Sequence, residues 1–186
     1  MFIALIVTGL IGLQEEVIDE QTTFYCNHGF NFGRFMGCHC GLHTLQLNNG
    51  IYKSCNSYFG NVYKKTIEKY KDSYYSVDNW NNHVKSFGLG QFMGYDLPTG
   101  RKGNIPDSKT YKRIYPNGGW RSTAIVSNAI GQGEILVTPI QLANMTAAIA
   151  NKGYYYTPHI IKSIEGQTIN PNFSTPKPVV TAKPPM

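Results

Sequence analysis

The first 13 residues, Met1-Phe2-Ile3-Ala4-Leu5-Ile6-Val7-Thr8-Gly9-Leu10-Ile11-Gly12-Leu13, are apolar almost without interruption. Any fold this chain adopts has to enclose the helix they would form, because such a helix has no polar face to leave in water. Thirteen residues fall short of the ~20 needed to cross a bilayer. No Lys or Arg precedes them, as a secretion signal would require. The run therefore predicts a buried core helix ending near Glu15, in a soluble domain that carries no address of its own. A chain of 186 residues can enclose it, since a domain of this size buries roughly 70% of its unfolded surface.

Beyond that helix, Val17 to Thr23 reads as a polar turn and Phe24-Tyr25-Cys26 as a short strand. Residues 27–44 carry Gly29, Gly33, Gly37 and Gly41 without periodicity, which predicts a Gly-rich loop needing some outside source of order. Two apolar stripes follow, one through Leu45, Leu47, Ile51 and Tyr52, the other through Phe59, Val62, Tyr63, Thr66, Ile67 and Tyr70. Their spacing predicts two helices joined by a short polar turn. Residues 78–86 predict a further helix that stops at Gly88, and the Gly- and Pro-dense stretch 88–119 a long surface excursion. Residues 122–130 lead into Gly131-Gln132-Gly133. Thr138-Pro139 then opens a helix with Thr as N-cap and Pro at its first position, ended by Gly153. Apolar residues surround that helix, so full burial is expected. Tyr154 to Tyr156 and His159 to Ile161 read as extended segments. After Gly166 the prolines Pro171, Pro176, Pro178, Pro184 and Pro185 predict a poorly ordered tail over 167–186.

The turn between the two central helices is Lys53-Ser54-Cys55-Asn56-Ser57. A hydroxyl at Ser54 and a carboxamide at Asn56 can face one cleft and together donate and accept hydrogen bonds. Ser and Asn are also usual helix caps, and that plainer use of both residues stands beside the functional one.

Ser54-Cys55-Asn56 resembles the second of three motifs, Ser-x-x-Lys, Ser-x-Asn and Lys-Thr-Gly, of the penicillin-binding and serine β-lactamase superfamily. Phe87-Gly88-Leu89-Gly90, Gly94-Tyr95-Asp96-Leu97-Pro98, Ile130-Gly131-Gln132-Gly133, Thr138-Pro139-Ile140-Gln141-Leu142-Ala143 and Ala150-Asn151-Lys152-Gly153 follow in the order typical of class B penicillin-binding proteins. The chain is most similar to the penicillin-binding protein 2 type. The resemblance implies an α+β fold: an incomplete transpeptidase domain over residues 1–166, mainly its helical part with a few sheet strands. It implies a peptidoglycan D,D-transpeptidase that cross-links stem peptides by serine acyl transfer during cell elongation and is the target of β-lactams. Ser54 and Asn56 would be its catalytic residues here. Its partners would be stem peptides, β-lactams and the cell-elongation machinery, and its place the periplasmic face of the inner membrane.

The other two motifs are missing. In the family's alignment Phe2 stands where the nucleophilic serine belongs and Leu5 where the lysine belongs, and neither side chain can do that chemistry. Ser174-Thr175-Pro176-Lys177 has the right letters, but Pro176 forbids the helical turn that would align the two groups. No Lys-Thr-Gly occurs. The chain reads as an internal piece of a transpeptidase domain, inactive alone.

Cys26, Cys38, Cys40 and Cys55 bracket this region, with His28, His39 and His43 among them. The four thiols are a candidate zinc site, with His39 or His43 as substitute ligand, and such a site would tie the Gly-rich loop to the Ser54 turn. Two disulfides or four free thiols are the alternatives. His83 and His159 read as packing or surface residues, since no carboxylate partner is near them in sequence.

A net charge of +6 comes from 17 basic and 11 acidic residues, and the basic ones are scattered. This describes a solvated surface rather than a nucleic-acid site. A different class of function, a non-enzymatic zinc-stabilised binding module of the cell envelope, shares the cysteines but has no use for the Ser-x-Asn turn. A β-lactamase-like hydrolase shares that turn but not the Gly-Gln-Gly to Asn-Lys-Gly block.

Overall fold

The structure, a computed structural model, describes residues 2–31, 35–96 and 99–179, apart from the side chains of Phe2 and Ile3. Its helices are α1 (Phe2–Gln14), α2 (Leu47–Tyr52), α3 (Asn56–Glu68), α4 (Ser73–Ser86), α5 (Ser108–Ile114) and α6 (Pro139–Ala150). Its strands are β1 (Phe24–Asn31), β2 (Phe35–Leu45), β3 (Tyr154–Tyr155) and β4 (Lys177–Pro178), and 3-10 turns cover Ser122–Ile130 and Pro171–Phe173. The expected mixture of helices and few strands is borne out. Among the described residues no helix is long and apolar enough to cross a membrane. The chain divides into two compact units, Met1–Trp80 with Pro106–Ile135, and Asn81–Ile105 with Leu136–Met186.

In the first unit α1 is the enclosed helix its composition demands. It packs on α3 and on the 3-10 turn Ser122–Ile130, burying Leu5, Val7 and Ile11 against Phe59, Val62, Ile125 and Ile130. Gly12 sets the approach of α1 to α3, because a Cβ there would lie 2.5 Å from Val62 Cγ1. Just past α1 the buried carboxylate of Glu15 accepts from Lys69 Nζ at 2.9 Å, Tyr70 Oη at 2.9 Å and Asn79 Nδ2 at 2.8 Å. A buried charge is tolerated only with partners of this kind. Asn128 Nδ2 similarly donates to the hydroxyls of Tyr63 (3.2 Å) and Tyr111 (2.6 Å), the latter donating onward to Glu134 at 3.2 Å.

Three local expectations are corrected in this unit. The stretch 27–44 is largely strand: β1 and β2 form an antiparallel hairpin, pairing Phe24 with Leu45, Gly29 with Gly37 and Asn31 with Phe35, with an irregularity between Asn27 and Gly29. Glycine weakens strand propensity, so the pattern was not visible locally. What holds the hairpin is its inner face on α3, where Gly60 leaves room for the buried Phe30 ring. Inside 88–119, α5 forms because the Asp107 carboxylate caps it, accepting from Thr110 N at 2.8 Å. Helix α4 begins at Ser73, ahead of the expected residue 78, with Asp72 Oδ1 accepting from Tyr74 N at 2.8 Å.

In the second unit α6 starts where expected, with a capping box between Thr138 and Gln141 and Pro139 at its first position. It is not apolar-buried all round. Ile140 and Leu142 stay 41% and 37% exposed, while Gln141, Asn144, Met145 and Ala148 face inward. The irregular stretch beside α6 decides this, because its carbonyls need donors. Gln141 Nε2 donates to Gln91 O (2.8 Å) and Lys102 O (3.0 Å), and Asn144 Nδ2 to Phe87 O (3.2 Å). Strand β3 pairs antiparallel with β4. Residues 159–161 form no strand; the Asp96 carboxylate accepts from Ile160 N and Ile161 N at 2.9 and 2.7 Å. Part of the expected tail, 180–186, lies outside the described residues.

Candidate active site and metal centre

The turn carrying Ser54 is a helix C-cap fused to a helix N-cap. Helix α2 ends with Ser54 N donating to Ile51 O (3.0 Å) and Cys55 N to Gly50 O (2.9 Å), the paired bonds of a Schellman turn. Such a turn needs a left-handed residue, and Ser54 supplies it with φ of 49° where glycine is usual. Cys55 then starts α3, its Sγ accepting from Tyr58 N at 3.4 Å. Neither Ser54 nor Asn56 caps α3, because Cys55 does. The Ser54 hydroxyl makes no hydrogen bond among the described residues. Asn56 Nδ2 donates to Gly37 O on β2 at 2.9 Å, while its buried Oδ1 has no partner among the described residues.

A strained serine at a position that prefers glycine has a measurable consequence. Ser54→Gly is expected to raise stability by roughly 0.5–1 kcal/mol in urea unfolding, by relief of the left-handed strain. A destabilised variant would contradict the turn described here.

The same turn is one wall of a thiol cluster. Cys38 and Cys40 share the inner face of β2 by strand alternation, Cys26 faces them from β1, and Cys55 completes the set. All four are buried, with their sulfur atoms within 4.8 Å of one another. Cys40 is the hub, 3.1 Å from each of Cys26, Cys38 and Cys55, and Cys38 lies 3.6 Å from Cys55. Burial works against ionising Cys38, but backbone N–H donors of Cys40 and Ser57 outweigh it and pull its thiol down to about 7. Burial and the surrounding thiols push Cys40 far up, and burial with repulsion from Cys38 pushes Cys55 up to about 12. The cluster can hold a metal ion. His39 and His43, the expected substitute ligands, are exposed and lie outside it.

The penicillin-binding protein transpeptidase domain matches residues 6–186 of the chain. The chain belongs to that family. The peptidoglycan D,D-transpeptidase MrdA of Haemophilus influenzae is 33% identical over 126 residues, covering 67% of this chain and 18% of that protein. Among solved structures, Pseudomonas aeruginosa penicillin-binding protein 2 in complex with WCK 5153 superposes with a TM-score of 0.71 at 27% identity, over 95% of this chain and 38% of that one. The Helicobacter pylori complex of penicillin-binding protein 2 with MreC gives a TM-score of 0.72 at 26% identity, over 96% and 30%. The chain spans less than a fifth of the length of the curated relatives it matches first.

In this chain Leu5 is fully buried core, and the side chain of Phe2 lies outside the described residues. Ser174 and Lys177 do not share a helix: Ser174 follows the turn Pro171–Phe173 and Lys177 begins β4. His83 is buried, whereas His159 is exposed and stacks on Phe173 at 4.7 Å with Nδ1 against Thr157 O. The residue that sequence reasoning missed is Gly37, whose carbonyl receives Asn56. Nothing in a main-chain carbonyl can be read from residue identity.

Proposed function

We propose that the chain is the Ser-x-Asn section of a penicillin-binding protein 2 type peptidoglycan D,D-transpeptidase. In that reading the whole protein cross-links stem peptides by serine acyl transfer on the periplasmic side of the inner membrane, and β-lactams acylate the same serine. The Ser54 hydroxyl relays a proton between the nucleophile and the leaving amine, and Asn56 Oδ1 accepts from an N–H donor in the cleft. The observation that carries this is the turn itself. Ser54 sits in a strained left-handed conformation with its hydroxyl uncommitted, and the cap it could have served is filled by Cys55. Strain kept at such a residue accords with a functional site. The cell-elongation machinery is the expected partner, by analogy with the relative solved with MreC.

The thiol cluster accords with a structural zinc ion. Four thiolates at ~2.3 Å from a tetrahedral ion lie about 3.8 Å apart. The closest pairs here, at 3.1 Å, would open by about 0.7 Å to accept it. The N–H groups of Ser57 and Tyr58 at the start of α3 already point at Cys38 and Cys55, and suit the negative charge of a thiolate centre.

Fluorescent penicillin followed by denaturing electrophoresis tests the catalytic reading. The chain alone is expected to give no labelled band, because α1 offers no serine followed by lysine one turn later. The parent reading frame, with Ser-x-x-Lys and Lys-Thr-Gly segments, is expected to label, and Ser54→Ala or Asn56→Ala there to slow labelling about 100-fold or more. A parent protein labelled at the same rate with either substitution would remove Ser54 and Asn56 from the mechanism.

A further inference from the structure

We propose that the outer face of α5, with Arg121 beside it, is a docking surface for the carboxylates of peptidoglycan stem peptides. The choice of polymer rests on the transpeptidase reading above; the surface itself follows from the fold. Helix α5 turns Ser108 and Tyr111 inward and leaves Lys109, Lys112 and Arg113 exposed, at the i, i+3, i+4 spacing that shares one helix face. Arg121 is exposed next to the buried Trp120, whose ring lies 5.4 Å from that of Tyr111. Lys112 Nζ stands 4.8 Å over the Tyr74 ring, which packs on Trp120 at 5.4 Å. The four cations therefore belong to one surface.

No neighbouring carboxylate balances this charge. From Ser108 to Gly133 the chain has four Lys or Arg residues and neither Asp nor Glu. None of the four makes an ion pair among the described residues. The acids around them are engaged otherwise: Asp107 caps α5 by accepting from Thr110 N, and Asp72 accepts from Tyr74 N. Glu68 pairs with Lys64 and accepts from the Ser122 hydroxyl, and Glu134 accepts from Tyr111. Helix stability does not call for the pattern either. The macrodipole favours Lys112 and Arg113 in the last turn but opposes Lys109 in the first. Lys109 and Arg113 are moreover a like-charge i, i+4 pair, which weakens a helix.

The ligand that fits is a polymer carrying repeated carboxylates. One exposed ion pair contributes little, but several on a single strand reinforce one another through their effective concentration. The guanidinium groups of Arg113 and Arg121 can each hold a carboxylate by two parallel N–H donors, with Lys109 and Lys112 as point charges between strand and helix. An uncrosslinked stem peptide ends in a carboxylate, and such ends recur along a glycan strand. Contacts of this kind hold the strand loosely and are screened by salt.

The test is co-sedimentation of the chain with purified cell-wall sacculi, at a temperature where circular dichroism shows every variant folded. Binding is expected in about 0.05 M salt and should weaken at least about tenfold in about 0.5 M. Lys109→Gln, Lys112→Gln and Arg113→Gln together are expected to weaken it about tenfold at low salt, the factor three such exposed contacts add up to. Arg101→Gln, Lys152→Gln and Lys162→Gln together remove the same charge from exposed positions of the other unit, and should change it less than about twofold. Sacculi whose carboxylates have been converted to amides with a carbodiimide and ethanolamine should hold the unsubstituted chain about tenfold more weakly as well. No binding at low salt, equal losses from the two triple variants, undiminished binding to the amidated wall, or tighter capture by phosphatidylglycerol vesicles through the same three cations would each overturn the proposal. Penicillin labelling of the parent protein does not depend on this face, so it would survive those results. A parent that binds sacculi through α5 yet takes up no penicillin would instead defeat the transpeptidase reading and leave the carboxylate surface standing.

Discussion

Serine in place of Cys40 is expected to abolish tight metal uptake and to lower the melting temperature by more than about 10 °C. Cys40 lies 3.1 Å from each of the other three sulfur atoms, so its loss removes the thiol at the centre of the set and leaves an incomplete tetrahedral site. A serine hydroxyl does not ionise near neutral pH and cannot replace a thiolate. Structural zinc contributes roughly 10 kcal/mol or more to small zinc-finger peptides. This chain keeps an apolar core around α1 and α3, so the loss should be smaller, on the order of several kcal/mol. At about 2–4 °C per kcal/mol for a chain of this size, that predicts the stated shift. Chelation of the unsubstituted protein should reproduce it. Acidification should as well, because burial and the neighbouring thiols hold Cys40 protonated and the ion must displace that proton. Thermal melting followed by circular dichroism, alongside metal content, checks this. A Cys40→Ser protein that melts within about 2 °C of its parent would exclude a structural metal.

Glu15→Ala is expected to cost about 3–5 kcal/mol in urea unfolding, the range for breaking a buried ion pair from one side. The carboxylate is fully buried, and its loss strands Asn79 Nδ2 in the interior, leaves Tyr70 without its acceptor and leaves Lys69 only the Glu15 main-chain carbonyl at 2.6 Å. Lys69 is partly exposed and can turn to water, which sets the upper limit. Burial alone would lower the Lys69 pKa, but the hydrogen bond and charge of Glu15 outweigh it and hold it above its ordinary value. Glu15→Gln keeps the volume and one acceptor and should cost roughly half as much. A Glu15→Ala cost below 1 kcal/mol would mean that water replaces the three donors without penalty, contrary to the burial described.

Much of the helical framework was legible in the residues. The enclosed helix α1 followed from a run with no polar face, and α6 from Thr138-Pro139, because capping chemistry acts within one turn. The hairpin β1–β2 was not legible. Gly29, Gly37 and Gly41 carry little strand preference, and the pairing is stabilised by the seat of Phe30 on α3, from residues distant in sequence. Helix α5 was hidden for the opposite reason: its cap Asp107 was present, but the surrounding glycines and prolines masked it. The polar inner face of α6 also escaped notice, since Gln141 and Asn144 are buried to satisfy carbonyls of an irregular stretch that no periodicity describes.

Ser54-Cys55-Asn56 and the ordered blocks after it pointed to the family without coordinates, because they are local residue patterns in a fixed order. The four cysteines could be named as candidate ligands from residue type alone, but their arrangement in the cluster could not. That Ser54 is left-handed, that Cys55 takes the helix cap, and that Asn56 turns its NH2 to Gly37 were decided only when β2 closed on the start of α3. Local composition chooses which groups are present; which way each one faces depends on backbone atoms brought near from elsewhere in the chain, and only the folded structure brings them there.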